Sequence, residues 1–148
     1  MKMGKRLKIL IISDDPTEIL WISDFLRQYQ SQIDHTIINN YVDAANYLFQ
    51  NAYEANDLNP HLILLDIAIS NHKGIQLLQS LKQHTDLKKI PVLILSASKI
   101  AEDVQMSYDH HVSAFIQKPP YKEQYIDLLK IITEYWMKTV TLPEFAWS

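Results

Sequence analysis

Five short apolar runs, at residues 7–13, 34–39, 61–66, 91–96 and 114–118, alternate along this chain with longer segments of helical period. Such alternation predicts a repeated strand–helix unit. The first, third and fourth runs are apolar nearly throughout, so those strands have no polar face to give to water. They belong inside a parallel sheet covered by helices on both sides. The second and fifth runs mix polar and apolar residues and are expected at the edges. The predicted fold is α/β, a doubly wound five-stranded parallel sheet in the order 2-1-3-4-5.

The helices follow from their punctuation. Asp15 is suited to cap the first, Pro16 to its first position and Glu18 to the return bond of a capping box. Ile19, Ile22, Phe25, Leu26 and Tyr29 then recur on one face. A second helix over 41–50 leads into the polar stretch 51–60, expected to be a surface loop remote from the chemistry. Helices three and four are predicted over 73–83 and 99–109. The fifth, over 121–140, would span roughly 30 Å, longer than a strand of five or six residues needs as cover, so its last turns should overhang. Tyr121, Tyr125, Leu128, Leu129, Ile132 and Trp136 form the stripe expected to face the sheet, while Ile131, Tyr135, Leu142, Phe145 and Trp147 fall outside it. Large uncovered apolar groups usually mark a protein contact, and a homodimer built on the C-terminal elements is the expected one.

At 148 residues the chain reads as one domain, with its core over about 7–133 and a helix extension and tail over about 134–148. Composition changes this picture by exclusion. A net charge of −3 offers nothing to a polyanion, and the N-terminal cluster Lys2, Lys5, Arg6 and Lys8 stands alone, so DNA binding is not expected. Zero cysteines remove disulfides and thiolate metal sites. No apolar run reaches membrane-spanning or signal-peptide length, which makes the cytoplasm the default location. With two glycines, Gly4 and Gly74, neither a P-loop nor a dinucleotide fingerprint can be written. Phosphate chemistry here would have to use side chains and a metal.

In an open parallel sheet, ligands bind outside the carboxyl ends of the strands, near the point where strand order reverses. That rule gathers Asp14 and Asp15 after strand one, Asp66 ending strand three, Ser96 ending strand four and Lys118 ending strand five. Three carboxylates in one crevice repel one another unless a cation neutralises them. Magnesium suits the oxygen donors and leaves an aspartate free to react. A carboxylate can attack a phosphoryl group when metal and cation offset the charge on its oxygens. Lys118 supplies that cation and Ser96 a hydroxyl donor. Taken singly, Asp15 reads as a helix cap, Asp66 and Ser96 as strand-end turn or cap residues, and Phe115 as core. Their joint placement reverses those readings. The six histidines form no ligand pattern, and His72 reads as a surface residue.

These residues resemble the receiver family of response regulators over nearly the whole chain. The resemblance implies Asp66 as phospho-acceptor and Asp14 and Asp15 as the acidic pair. With Asp66 and the backbone carbonyl of Ala68, that pair would hold Mg2+ or Mn2+. It also implies Ser96 as switch hydroxyl, Phe115 as switch aromatic and Lys118 as the phosphate-contacting lysine. Gly74 falls eight residues after Asp66, where the family has its glycine, and Lys118-Pro119 matches the family's Lys-Pro, whose peptide bond is often cis. Ile69 and Ser70 replace the family's frequent Met-Pro, which is expected to loosen the loop without removing a reactive group. Residues 135–143, with Ser107-Tyr108 and His111-Val112, further resemble the small receivers associated with cyanobacterial-type phytochrome kinases, a group that also forms homodimers. The resemblance implies a phospho-acceptor with at most slow self-dephosphorylation, served by a sensor histidine kinase and read by a downstream protein. Three alternatives stand beside it. A pseudo-receiver binding partners without phosphorylation conflicts with intact Asp66, Asp15, Ser96 and Lys118. A flavodoxin-like cofactor site conflicts with Asp14-Asp15, which would repel a phosphate. A phosphohydrolase usually carries an Asp-x-Asp nucleophile on its first strand.

Overall fold

The structure is a computed structural model that describes residues 6–52 and 59–143. Its strands are β1 (Leu7–Ile12), β2 (Ile33–Ile38), β3 (Leu62–Asp66), β4 (Val92–Ser96) and β5 (Ala114–Gln117). All pairs are parallel and the order is β2-β1-β3-β4-β5, as the apolar pattern predicts. The helices are α1 (Pro16–Arg27), α2 (Tyr41–Ala52), α3 (Gly74–Gln83), α4 (Ala101–Asp109) and α5 (Lys122–Glu134), with short turns at Ile69–His72 and Leu87–Lys89. Helix α4 starts two residues later than expected and α3 one later. Strands β3 and β4 end on Asp66 and Ser96 themselves, whereas β1 and β5 stop short of Asp14 and Lys118. The ladder still reaches past the ends: Ser13 N–H donates to Ile38 O at 3.2 Å and Lys118 N–H to Ser96 O at 2.7 Å.

Because successive side chains on a strand point to opposite faces, the sheet sorts its own residues into two cores. Leu7, Ile9 and Ile11 join Leu62, Leu64, Leu93 and Leu95 under α1 and α5, meeting Ile22, Phe25, Leu129 and Ile132. Leu10, Ile12, Ile63, Leu65, Val92 and Ile94 face the other way, onto Leu48, Leu77, Leu78 and Leu81. Each such side chain contributes roughly 1.5–3 kcal/mol relative to exposure, so both faces of β1, β3 and β4 are committed to the interior. Toward the carboxyl ends of these three strands, polar residues appear only where the chain leaves the sheet, and there the site forms.

Gly74 is required by a close approach. A Cβ there would lie 2.6 Å from the Cα and 2.8 Å from the carbonyl oxygen of Ile67, and Gly74 N–H donates to that same oxygen at 3.1 Å. The first residue of α3 is thus docked directly on the backbone leaving β3.

The C-terminal region departs from expectation in three ways. Regular α-helix ends at Glu134 and passes into a wider π turn, Tyr135–Thr139, closed by Val140 N–H on Tyr135 O at 3.1 Å. Tyr121 is 70 % exposed and not part of the inward stripe, because its extended backbone precedes the helix. Leu142 packs with Trp136 and Met137 against the α1–α5 core, so the chain folds back over its own domain up to that point. Ile131 and Tyr135 stay outward at 67 % and 54 % exposure. Phe145 and Trp147 lie outside the described residues. No helix among the described residues is long and apolar enough to cross a membrane.

Candidate functional site

The polar residues gather at the carboxyl end of the sheet, each aimed by local backbone chemistry. Asp66 closes β3 and is buried. Its Oδ1 accepts from Ala68 N–H at 3.0 Å and its Oδ2 from the Lys118 ammonium at 2.9 Å. Lys118 sits one step beyond β5, held by its backbone bond to Ser96. Ser96, also buried, ends the intervening strand, and its hydroxyl accepts from Ser98 N–H at 3.2 Å. Phe115 is half-buried against the α2–α3 core, and its N–H donates to the Tyr108 hydroxyl at 3.2 Å.

Asp15 caps α1, its Oδ1 accepting from Thr17 N–H at 2.9 Å and Glu18 N–H at 3.2 Å. Burial works against its ionisation, but the backbone and side chain of Glu18, Thr17 N–H and the Lys118 charge outweigh it and hold the carboxyl below the usual range. The capping box is only half formed. Glu18 does not bond back to Asp15 N–H, which donates instead to the Ser13 hydroxyl at 3.3 Å. Glu18 turns inward: its Oε2 accepts from Lys118 at 2.9 Å and its Oε1 from the Tyr125 hydroxyl at 2.9 Å.

One ammonium therefore serves two carboxylates. Burial disfavours its charge, yet the bonds to Asp66 and Glu18 prevail and raise the Lys118 pKa, keeping the group protonated. Glu18 is also shifted upward, because burial outweighs what a shared cation and the Tyr125 hydroxyl return to it. Burial and the Glu18 charge likewise raise Tyr125, leaving it a firm donor. Sequence reasoning missed both residues, taking Glu18 for a cap and Tyr125 for core. The available signal was the tyrosine hydroxyl, since one placed in a buried stripe must find a polar partner.

Asp14 faces the loop that follows Asp66, its Oδ2 accepting from Ser70 N–H at 3.1 Å. The Ser70 hydroxyl in turn accepts from Tyr41 N–H at 2.8 Å, at the start of α2. Ser70, Asn71 and His72 all have positive φ, at 47°, 68° and 68°, an unfavoured conformation for side-chain-bearing residues. The loosening expected from Ile69-Ser70 is therefore not what occurs: Ser70 pins the loop at two points. His72 is a surface residue with its ring 3.5 Å from Asp103. The described peptide bonds, Lys118-Pro119 among them, are all trans, contrary to the frequent cis form.

Among the described residues, no three His, Asp or Glu side chains come together in metal-binding geometry. Asp14, Asp15 and Asp66 each take a different donor: Ser70, the α1 amides and Lys118. The residues still fit a hard divalent cation, which needs only one or two carboxylates and otherwise keeps water. Asp14 and Asp66 both lean on amides of the single loop 68–70, and all their donor atoms are oxygens. The Ala68 carbonyl accepts from His72 N–H at 3.0 Å, which engages one of its two lone pairs.

A five-stranded parallel α/β sheet carrying a lysine-paired aspartate at the end of β3 defines a class, and comparison with known proteins agrees. Residues 9–130 match the response regulator receiver domain, and the chain belongs to that family, whose members accept a phosphoryl group on an aspartate and work with a histidine kinase in a phosphorelay. Within it, the chain is 33 % identical over 137 residues to response regulator Rcp1 of Synechocystis sp., covering 91 % of this chain and 92 % of that protein. The crystal structure of the phosphorylated cyanobacterial phytochrome response regulator RcpA superposes with a TM-score of 0.86 at 32 % identity, over 94 % of this chain and 99 % of that one. The Mn(2+)-bound form of Rcp1 gives 0.83 at 31 %, over 93 % and 99 %.

Proposed function

We propose that this chain is a phosphorylation-activated receiver in which Asp66 takes a phosphoryl group from a histidine kinase of the phytochrome type. The observation that carries the reading is the buried 2.9 Å pair between Asp66 Oδ2 and Lys118. It presents a nucleophile and its charge-neutralising cation at the mouth of the sheet. One Asp66 oxygen attacks phosphorus as the bond to the donor's leaving group breaks, and the leaving group departs with the electron pair and takes a proton from solvent. Lys118 follows the developing charge on the phosphoryl oxygens. Ser96 exchanges its bond with Ser98 for donation to one of those oxygens, and Phe115 moves into the space it vacates. Asp14 and Asp15, with Asp66 and the Ala68 carbonyl, would hold Mg2+ or Mn2+. When bound, that ion neutralises phosphoryl oxygens and aligns them for in-line transfer. The manganese of Rcp1 and the phosphorylation of RcpA support this reading by relationship.

The C-terminal surface serves self-association. Ile131 and Tyr135 are large, outward and adjacent on α5 and its π turn, and a twofold contact pairs such a patch with itself. The test of the central reading is acetyl phosphate with magnesium, followed by intact mass. The parent gains one phosphoryl group and Asp66→Asn gains none. A phosphorylated Asp66→Asn, or a parent that stays unmodified with both acetyl phosphate and kinase, overturns it.

A further inference from the structure

The phosphoryl-transfer reading uses Asp66, Lys118, Ser96 and the metal-binding carboxylates, and leaves unexplained a second carboxylate on the same cation. Glu18 lies 2.9 Å from the Lys118 ammonium, the same distance as Asp66. The three side chains are only 14 %, 9 % and 6 % exposed for Glu18, Lys118 and Asp66, so solvent cannot screen the contest between the carboxylates. Glu18 is itself fixed from behind by the Tyr125 hydroxyl, whose ring is buried on α5 and meets Trp21 edge-on at 5.4 Å. A cleft of about 200 Å³ opens onto this group between Asp15, Glu18, Ala97, Lys118 and Tyr125.

Resting on that reading, we propose that Glu18 is a positioning residue for phosphoryl transfer. Clamped by Tyr125, it fixes the Lys118 ammonium beside Asp66, and its negative charge sets how strongly the site admits an anionic phosphodonor. Two effects of opposite sign follow. As an anchor, Glu18 keeps the long and flexible lysine side chain in one place, which aids transfer. As a charge, it leaves the cluster at a net −1 before any metal binds, and so opposes the approach of a doubly charged donor. When Asp66 becomes phosphorylated and Lys118 turns to the phosphoryl oxygens, Glu18 remains the fixed point about which the ammonium pivots.

Substitutions at Glu18 separate the two effects. Glu18→Gln keeps the shape and an acceptor for Lys118 but removes the charge. Glu18→Ala removes both. With acetyl phosphate and saturating magnesium, Glu18→Gln is expected to be phosphorylated severalfold faster than the parent at low ionic strength, with the gap narrowing as salt is added. Glu18→Ala should fall below Glu18→Gln at every salt concentration. Tyr125→Phe keeps the charge but loosens the clamp, and should slow the reaction a few-fold without changing its salt dependence. A merely structural role would leave the salt dependence of Glu18→Gln unchanged. Equal rates and equal salt dependence for parent, Glu18→Gln and Glu18→Ala would overturn the proposal while the phosphorylation reading stands. A parent that takes no phosphoryl group would overturn that reading and the proposal with it.

Discussion

Asp15 shows how one side chain can carry two duties that compete. Its Oδ1 closes the amino end of α1, a bond whose loss costs about 1 kcal/mol, and the same carboxylate borders the proposed cation site. Asp15→Ala should therefore lower the thermal midpoint at neutral pH by a few degrees and also weaken magnesium binding. Asp15→Asn, which keeps the cap but not the charge, should weaken magnesium binding with little loss of stability. The pH dependence has a definite sign. A carboxyl whose folded pKa lies below its ordinary 3.8 contributes stability that is complete above that value and is lost as pH falls through the lowered one. The midpoint difference between parent and Asp15→Ala should thus shrink in strong acid, as calorimetry at neutral and acidic pH would reveal. A difference that stayed constant would mean the cap does not depend on the charge. Asp66, Ser96 and Lys118 were readable from sequence because each stands at or one step past the end of a strand. The direction of Glu18 was not, since a first-turn glutamate serves a capping box and an inward ion pair equally well until the lysine is placed in space.

At the scale of elements, the junction between β3 and α3 shapes the loop carrying Ala68 and Ser70. Gly74 lies too close to Ile67 for any Cβ, and the contact is backbone to backbone, so no rotamer change can relieve it. Gly74→Ala should cost about 1–3 kcal/mol as an overpacking change. It should also slow phosphorylation, because the displaced backbone is the one leaving Asp66. Denaturant midpoints and acetyl phosphate rates measure both effects, and a stable, fully active variant would contradict them. Ser70→Ala should release α2 from the loop by removing the hydroxyl that Tyr41 N–H uses, with a loss of about 1 kcal/mol. Element order and strand faces were legible because β1, β3 and β4 are apolar on both sides. The left-handed run from Ser70 to His72 was not. None of these residues is glycine, and their backbone is imposed by bonds to Asp14 and α2 that only the folded chain brings near.

At the scale of the whole molecule, the C-terminal segment covers its own domain in part and leaves large apolar groups facing outward. Trp136, Met137 and Leu142 do the first, and Ile131 and Tyr135 are the outward groups of the proposed self-association. Helical period placed Trp136 and Ile131 on their proper sides, but it could not follow the chain past the π turn, where the spacing changes. Leu142 was misassigned for that reason. Ile131→Glu should leave the fold intact and shift a sedimenting dimer to monomer at micromolar concentration. A monomeric parent, or a variant still dimeric, would refute the assignment.

The ring contact between Trp21 and Tyr125 gives the molecule an optical consequence. Trp21 borders the cleft above Lys118, and its neighbouring ring is hydrogen-bonded to Glu18, so any shift of the ammonium alters the surroundings of this indole. Its emission should change in colour or intensity when phosphoryl groups are added, and Trp21→Phe should abolish the change while Trp136 continues to fluoresce. The chain thus contains a native fluorophore beside its reactive centre, through which phosphorylation can be followed in real time without a label.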